Sequence, residues 1–422
     1  MWTREEGRSG VRGETARWFA VLAAVPFVMV LGNSMLIPVL PTLKARLGLT
    51  PVEMGLVITA FSLPAGATIP LAGALSDRVG RKAVMVPALV LYGVGGLLAG
   101  LAAWLMPGRF WPILAARALQ GVGAGGTYQL AMALAGDVFQ SRERVRALGL
   151  LEASNGLGKV VSPLLGALAA LGAWFLPFFV YGMVALPTAA GVYLAVPEPS
   201  GGRTAQGMGA YLRQLGSVAR RRGAMLAASY GAGLVALFAL FGVLSYVSDV
   251  LEQLSGLGQL GRGAVIAIPV GLMAAVAYAA GVYLQRRPAH ATSLAVGGLV
   301  VASGGLLMLG LQGEALRGLI VGASALGLGV GAVLPAINAA VTGAAPRGER
   351  GAVTALYGTV RFSGVAAGPP VFGLAQQPEL RLAIFGACAA ATALAAWGVA
   401  ANRLPVGQGS SPSSAGLGRS AG

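Results

Sequence analysis

Residues 73–82 read Gly-Ala-Leu-Ser-Asp-Arg-Val-Gly-Arg-Lys. One acid, two glycines and three cations occupy ten positions, in a chain with only 10% charged residues. Long apolar runs flank the stretch on both sides. A short charged connection between two such runs marks a place where the chain turns back at the edge of an apolar medium.

That medium is identified by the rest of the chain. The 422 residues are 56% hydrophobic, with a mean hydropathy of +0.75. A soluble domain needs far more polar surface than this. Apolar runs of about 20 residues recur, each long enough to cross the roughly 30 Å hydrocarbon core of a bilayer. We place twelve spans at 18–41, 54–74, 83–105, 111–137, 147–171 and 174–196, then at 224–248, 262–284, 291–311, 317–342, 351–374 and 380–402. The expected fold class is therefore an all-α polytopic membrane protein.

Net charge is +16, but the cations are spread over alternate connections instead of forming a nucleic-acid patch. With the N-terminus placed inside, 21 of the 30 Lys and Arg fall in inner segments and six in outer ones. This asymmetry orients both termini toward the cytoplasm of a plasma-membrane protein. The remaining three, Arg117, Lys159 and Arg361, lie within spans. Cys388 is the single cysteine, so no internal disulfide can form.

The longest connection divides the chain into an N-terminal cytoplasmic segment 1–17, a six-helix half 18–196, a basic central loop 197–223, a second half 224–403 and a disordered tail 404–422. The halves repeat. At an offset of 206 residues, Gly158, Ser162 and Pro163 map onto Gly364, Gly368 and Pro369. At 208, Gly73 and Arg78 map onto Gly281 and Arg286, while Asp77 becomes Gln285. Pseudo-symmetric halves enclosing a site near the midplane are a recurrent transporter design.

Within spans, polar residues fall on faces. Gln120 and Thr127 follow Arg117 at i+3 and i+10, a stripe suited to lining a cavity. A charge at that depth facing lipid costs at least about 2.5 kcal/mol; snorkelling to the outer headgroups is its alternative. Glu152, Asn155 and Lys159 share one face of the fifth span, and Gly158, Ser162 and Gly166 another, where a neighbouring helix can come close. Pro163 removes a helix hydrogen bond and is expected to bend the span. Lys159 is either a substrate or coupling residue or half of a buried pair. Tyr357 precedes Arg361 by one turn, and the repeat places Asn155, Lys159 and Arg361 across one centre, with Asn33 completing it. Pocket aromatics are expected among Tyr128, Phe178, Phe179, Tyr181, Tyr230, Phe238, Phe241 and Tyr246.

Four stretches resemble the major facilitator superfamily, most nearly its twelve-span drug:proton antiporter branch. They are Leu31-Gly32 with Pro38-Val39-Leu40-Pro41, the 73–82 loop, Arg117 to Gly123, and Gly158-x-x-x-Ser162-Pro163-x-x-Gly166. The last departs from the family pattern at Ser162, where glycine is usual. The resemblance implies two six-helix halves in the major facilitator fold. It also implies an inner lock built from Gly73, Asp77, Arg78, Gly80, Arg81 and Asp137. Within that lock, Asp77 is expected to face the start of the eleventh span near Gly351 when the transporter is open outward, with Arg78 and Arg81 in reach of Asp137 and Gly73 and Gly80 permitting close approach. Arg117 is implied in coupling or cargo contact.

The function expected is proton-coupled efflux of amphipathic drug-like compounds by alternating access. The alternative is transport or exchange of small organic anions at a cationic centre. Only Glu152 among the 14 acids falls near the cavity wall, so Glu152 or Lys159 would titrate. A non-transporting receptor or scaffold is disfavoured by the gate loop. No nucleophile–base or metal constellation suggests an enzyme, and His290 stands alone. The expected partners are a small-molecule cargo and the lipid bilayer, with no nucleic acid. A monomer is expected, with no cofactor beyond a proton gradient as energy source.

Overall fold

The computed structural model describes residues 3–139, 141–198, 208–254, 256–312, 315–344 and 350–404. The tail expected from 404 onward, Leu404 apart, and positions 199–207 of the central segment lie outside these. The first half contains α1 (Thr3–Ser34), α2 (Leu40–Leu47), α3 (Pro51–Val79), α4 (Arg81–Leu105), α5 (Trp111–Gly125), α6 (Tyr128–Val138), α7 (Ser141–Gly172) and α8 (Leu176–Ala195). The second contains α9 (Met208–Leu254), α10 (Gln259–Arg286), α11 (Ala291–Gln312), α12 (Leu316–Ala344), α13 (Arg350–Gly373) and α14 (Pro378–Asn402).

Among the described residues, nine segments are long and apolar enough to cross a membrane. The three other expected passes are helical as well. One is divided between α5 and α6, and α7 and α13 are diluted by polar residues, glycine and proline.

Local chemistry sets the ends. Thr50 and Glu53 form a reciprocal capping box at the start of α3, with Glu53 N–H donating to Thr50 Oγ1 at 3.2 Å and Thr50 N–H to Glu53 Oε2 at 2.8 Å, which satisfies donors that a helix start leaves open. Gly80 separates α3 from α4 at φ +112°, a conformation open essentially to glycine.

Two passes differ from the sequence expectation. The first, expected to run unbroken over 18–41, ends as an α-helix at Ser34; a 3₁₀ turn at Ile37–Val39 around Pro38 leads into α2. Proline lacks the N–H that would continue the α ladder. The fourth, expected over 111–137, breaks at Gly126–Thr127, where Thr127 sits at φ −111°, ψ −84°. Three glycines in four residues weaken the helix there by about 1 kcal/mol each relative to alanine. They also bring backbones together: a Cβ on Gly125 would lie 2.7 Å from the Ala65 carbonyl, and one on Gly123 would meet the backbone of Tyr92. In the central segment α9 begins at Met208 and kinks at Arg222 (φ −139°, ψ 28°).

The internal repeat is visible as packing. Gly158 lies against the Phe27 carbonyl and Gly166 against that of Met35, closing α7 on the first pass. Gly364 and Gly368 likewise lie against the carbonyls of Leu234 and Phe238, closing α13 on α9. Between halves, α3 packs along α13 and α7 along α10. Gly55 abuts Pro369 and Pro370, Gly373 abuts Pro51, and Thr359 Oγ1 donates to the Gly66 carbonyl at 2.7 Å.

Candidate functional site: a cavity between the halves

A small cavity lies where α1, the 3₁₀ turn after it, α7, α9, α10 and α12 converge. Its wall is apolar, with Leu237, Phe241, Leu244 and Met273 among the lining side chains; Lys159 is the one charged residue on it. The lining elements α9, α10 and α12 belong to the second half, and α1, the 3₁₀ turn with Ile37, and α7 to the first, so the site exists only when the halves come together.

Lys159 makes no ion pair or hydrogen bond with a described residue. The charged groups within electrostatic reach of it are Arg361, from α13, and Glu152, two turns back on its own helix. Glu152 pairs with neither cation. Its carboxylate accepts a hydrogen bond from the hydroxyl of Tyr128, the first residue of α6 after the break. Arg361 donates weakly to Asn338 Oδ1 at 3.4 Å and stacks over Tyr357 at 5.3 Å, while its Nε is buried without a partner. The cavity region thus carries two cations and one carboxylate, with the carboxylate held by a phenol.

Arg117 occupies a separate cluster. It is 0% exposed and donates to Asn33 Oδ1 (2.6 Å), Gln120 Oε1 (2.5 Å) and the Val57 carbonyl (3.3 Å). Its guanidinium lies 4.5 Å from the Phe61 ring centroid, and Asn33 in turn donates to Ser62 Oγ at 2.9 Å. None of these partners is acidic. The expectation of a stripe lining a cavity is corrected here: Arg117 and Gln120 are sealed inside the first half, and Thr127 lies in the helix break with its hydroxyl on the Ala124 carbonyl. The single centre expected from Asn33, Asn155, Lys159 and Arg361 separates likewise. Asn33 turns to Arg117, and Asn155 turns to the Pro26 carbonyl of α1 at 3.4 Å. Lys159 and Arg361 alone remain together. Side-chain direction around a helix separates residues that a linear repeat places side by side.

Pro163 lies on the cavity wall, and α7 runs through it without interruption. The Ser162 hydroxyl satisfies the Gly158 carbonyl one turn back.

The charged loop forms a compact cluster in the first half. Asp77 pairs with Arg81 at 2.5 Å, and Arg81 Nε reaches Asp137 at 3.1 Å. Arg78 is exposed on the last turn of α3. The described ion pair of Asp77 thus lies within its own half; the contact expected with the start of α13 near Gly351 belongs to the outward-open state. Gly80 has the positive φ that a sharp turn needs, but a Cβ on Gly73 would enter open space, so close approach there is not required. Glu198, unremarked in the sequence, accepts from the N–H groups of Arg81 (2.8 Å) and Lys82 (2.7 Å). A carboxylate at a helix N-terminus meets the positive end of the helix dipole.

The opposite end of the bundle joins the halves. Lys44 of α2 pairs with Asp249 of α9, whose side chain is 0% exposed, and Ser248 Oγ donates to the Ile37 carbonyl at 2.7 Å. Arg262 and Glu252 pair nearby at 2.9 Å. Lys44 and Asp249 are 205 residues apart, and no local pattern links them.

Known proteins share this organisation. The bacillibactin exporter of Bacillus subtilis is 36% identical over 353 residues, spanning 83% of this chain and 88% of that relative. The quinolone resistance protein NorA of Staphylococcus aureus is 28% identical over 160 residues, 38% of this chain and 40% of NorA. The crystal structure of the human organic anion transporter MFSD10 (TETRAN) superposes with a TM-score of 0.71 at 22% identity, covering 91% of this chain and 99% of that one, a likeness of fold. A family model described as Major Facilitator Superfamily matches residues 22–369. Two facing helical halves, a cavity between them and this match together make the chain a membrane transporter, not an enzyme, and it belongs to the Major Facilitator Superfamily.

Proposed function

We propose that this protein exports amphipathic organic anions by alternating access, with cargo held between the halves at Lys159. The observation that carries the reading is the Lys159 ammonium, without a partner among the described residues, on a cavity wall that is otherwise apolar save for Ser34. A charge out of water is costly unless paired, and a cargo carboxylate or similar anion supplies the missing partner. Arg361, its Nε unsatisfied, adds a second donor from the other half. The apolar wall from α9 and α10 takes the body of the molecule. The exporter and organic anion transporter among the similar proteins support the same class.

In this reading the charge asymmetry of the connections puts both termini in the cytoplasm. The end closed by Lys44 and Asp249 is then the outer one. Residues 73–82 serve in this reading as the inner lock, engaged when the carrier opens outward.

The test is direct. Purified protein in nanodiscs should bind an aromatic carboxylate such as 2-naphthoate, and Lys159→Met should weaken that binding roughly tenfold or more, the loss of a hydrogen bond to a charged group. Unchanged affinity in Lys159→Met would remove the reading.

A second reading, proton-coupled efflux of drug-like compounds including cations, is favoured by the likeness to NorA and by Glu152, an exposed carboxylate within electrostatic reach of Lys159. Linkage separates the two by sign, because a bound charge and a proton at neighbouring groups alter each other's affinity reciprocally. Anion binding in weakly buffered solution should take up protons or leave pH unchanged. Release of protons on binding tetraphenylphosphonium, with no response to 2-naphthoate, would establish the second reading.

A further inference from the structure

Lys159, with no partner among the described residues, and Arg361, with an unpartnered Nε, lie beside a carboxylate that engages neither. Glu152 lies seven residues before Lys159 on the same face of α7, close enough to interact with it electrostatically. It is exposed and free of backbone contacts, yet its described hydrogen bond goes to Tyr128. Tyr128 comes from a different helix, and its position depends on the break at Gly126–Thr127. The helix restarts there, so Tyr128 does not continue the stripe of α5. Tyr128 also lies within electrostatic reach of Arg361, which places its hydroxyl at the boundary between acid and cations.

We propose that Tyr128 is a positioning residue that holds Glu152 away from Lys159 and Arg361, keeping the cation pair open for an anionic cargo. Glu152 is the internal competitor. Released, its carboxylate has the charge and the reach to occupy the position that cargo would take. Tethered, it leaves both cations available. The geometry thereby assigns the helix break a purpose in selectivity: it presents one phenol to one carboxylate. The proposal rests on the anion reading above and adds to it a residue that does not touch cargo.

The charged and titratable groups facing this centre are Glu152 from α7, Tyr128 from α6, and Arg361 and Tyr357 from α13. The cavity walls from α9, α10 and α12 supply apolar side chains, and α1 adds Ser34. The competition therefore lies between Glu152 and an incoming anion, with no second acid from those walls.

A double-mutant cycle in the full-length protein tests this, with 2-naphthoate as the probe and thermal unfolding measured for every variant. Tyr128→Phe, which keeps the ring and removes the donor, should raise the 2-naphthoate Kd roughly tenfold, the scale of a hydrogen bond to a charged group. Glu152→Gln should bind at least as tightly as the parent. In the Glu152→Gln background, Tyr128→Phe should change Kd less than twofold. A structural role for Tyr128 would weaken binding equally in both backgrounds, and that result overturns the proposal, as does an unaltered Kd in Tyr128→Phe alone. A parent protein that binds no carboxylate at all refutes the anion reading and this proposal with it. Binding by the parent without the cycle's asymmetry refutes only the role of Tyr128.

Discussion

At the scale of single residues, the three cations inside the spans solve the same problem differently. Arg117 is fully buried, yet its planar fork finds three oxygen acceptors and an aromatic face. Such a fork is matched to several acceptors at fixed angles, which an ammonium cannot reproduce. Lys159 has no such shell. A fully buried guanidinium engaged by three acceptors marks a residue that builds the protein; a half-buried ammonium on a cavity wall without a described acceptor marks one awaiting a partner. We therefore expect Arg117→Lys to cost about 1–3 kcal/mol of stability through acceptors left unpaired, read as a lowered unfolding temperature. Binding of 2-naphthoate by the folded fraction should stay within twofold of the parent. A tenfold rise in Kd would place Arg117 in the cargo site after all.

At the scale of elements, glycines of one helix have opposite consequences. On α7, a Cβ at Gly166 would collide with the Met35 carbonyl, whereas one at Gly156 would meet nothing within 4 Å. Alanine is the better helix former by about 1 kcal/mol. Gly156→Ala should thus be neutral or stabilising in a thermal unfolding assay, and Gly166→Ala should lower the unfolding temperature and the yield of folded protein. Equal behaviour of the two would contradict the packing of α7 on the first pass. Gly166 was legible in the sequence because Gly158, Ser162 and Gly166 recur every four residues. The break in the fourth pass was not legible, since an apolar window averages over Gly123, Gly125 and Gly126 and registers only hydrophobicity. Whether three glycines continue a helix or end it depends on the backbones of α3 and α4 that approach them.

At the scale of the whole molecule, the halves are held at one end by Lys44 and Asp249 and along one seam by α3 and α13. Removing one partner of a buried pair leaves an uncompensated charge, a loss of about 3–5 kcal/mol. Lys44→Met should therefore shift the population away from this conformer, and Lys44→Met with Asp249→Asn should shift it less. A single cysteine at Ser248, buried here between the halves, reports the change in a Cys388→Ser background through labelling by an impermeant thiol reagent. Faster labelling in Lys44→Met than in the parent is expected. Equal rates would mean that the pair does not hold this end closed.

Residues 73–82, the apolar periodicity and the 206-residue offset determined, without coordinates, that the chain crosses a membrane repeatedly in two related halves. Those features are local or periodic, and the bilayer translates them directly into helices: within hydrocarbon, a helix satisfies all of its backbone hydrogen bonds within one segment. The sequence also singled out Arg117, Lys159 and Arg361, because charge inside an apolar run is conspicuous wherever it points. Only the tertiary structure decided their roles. It sealed Arg117 among Asn33, Gln120 and Phe61, left Lys159 on a cavity wall built largely by the other half, gave Glu152 to Tyr128, and joined Lys44 to Asp249 across 205 residues. These outcomes depend on which face each helix presents to which neighbour, a property of packing between distant segments that no local pattern encodes.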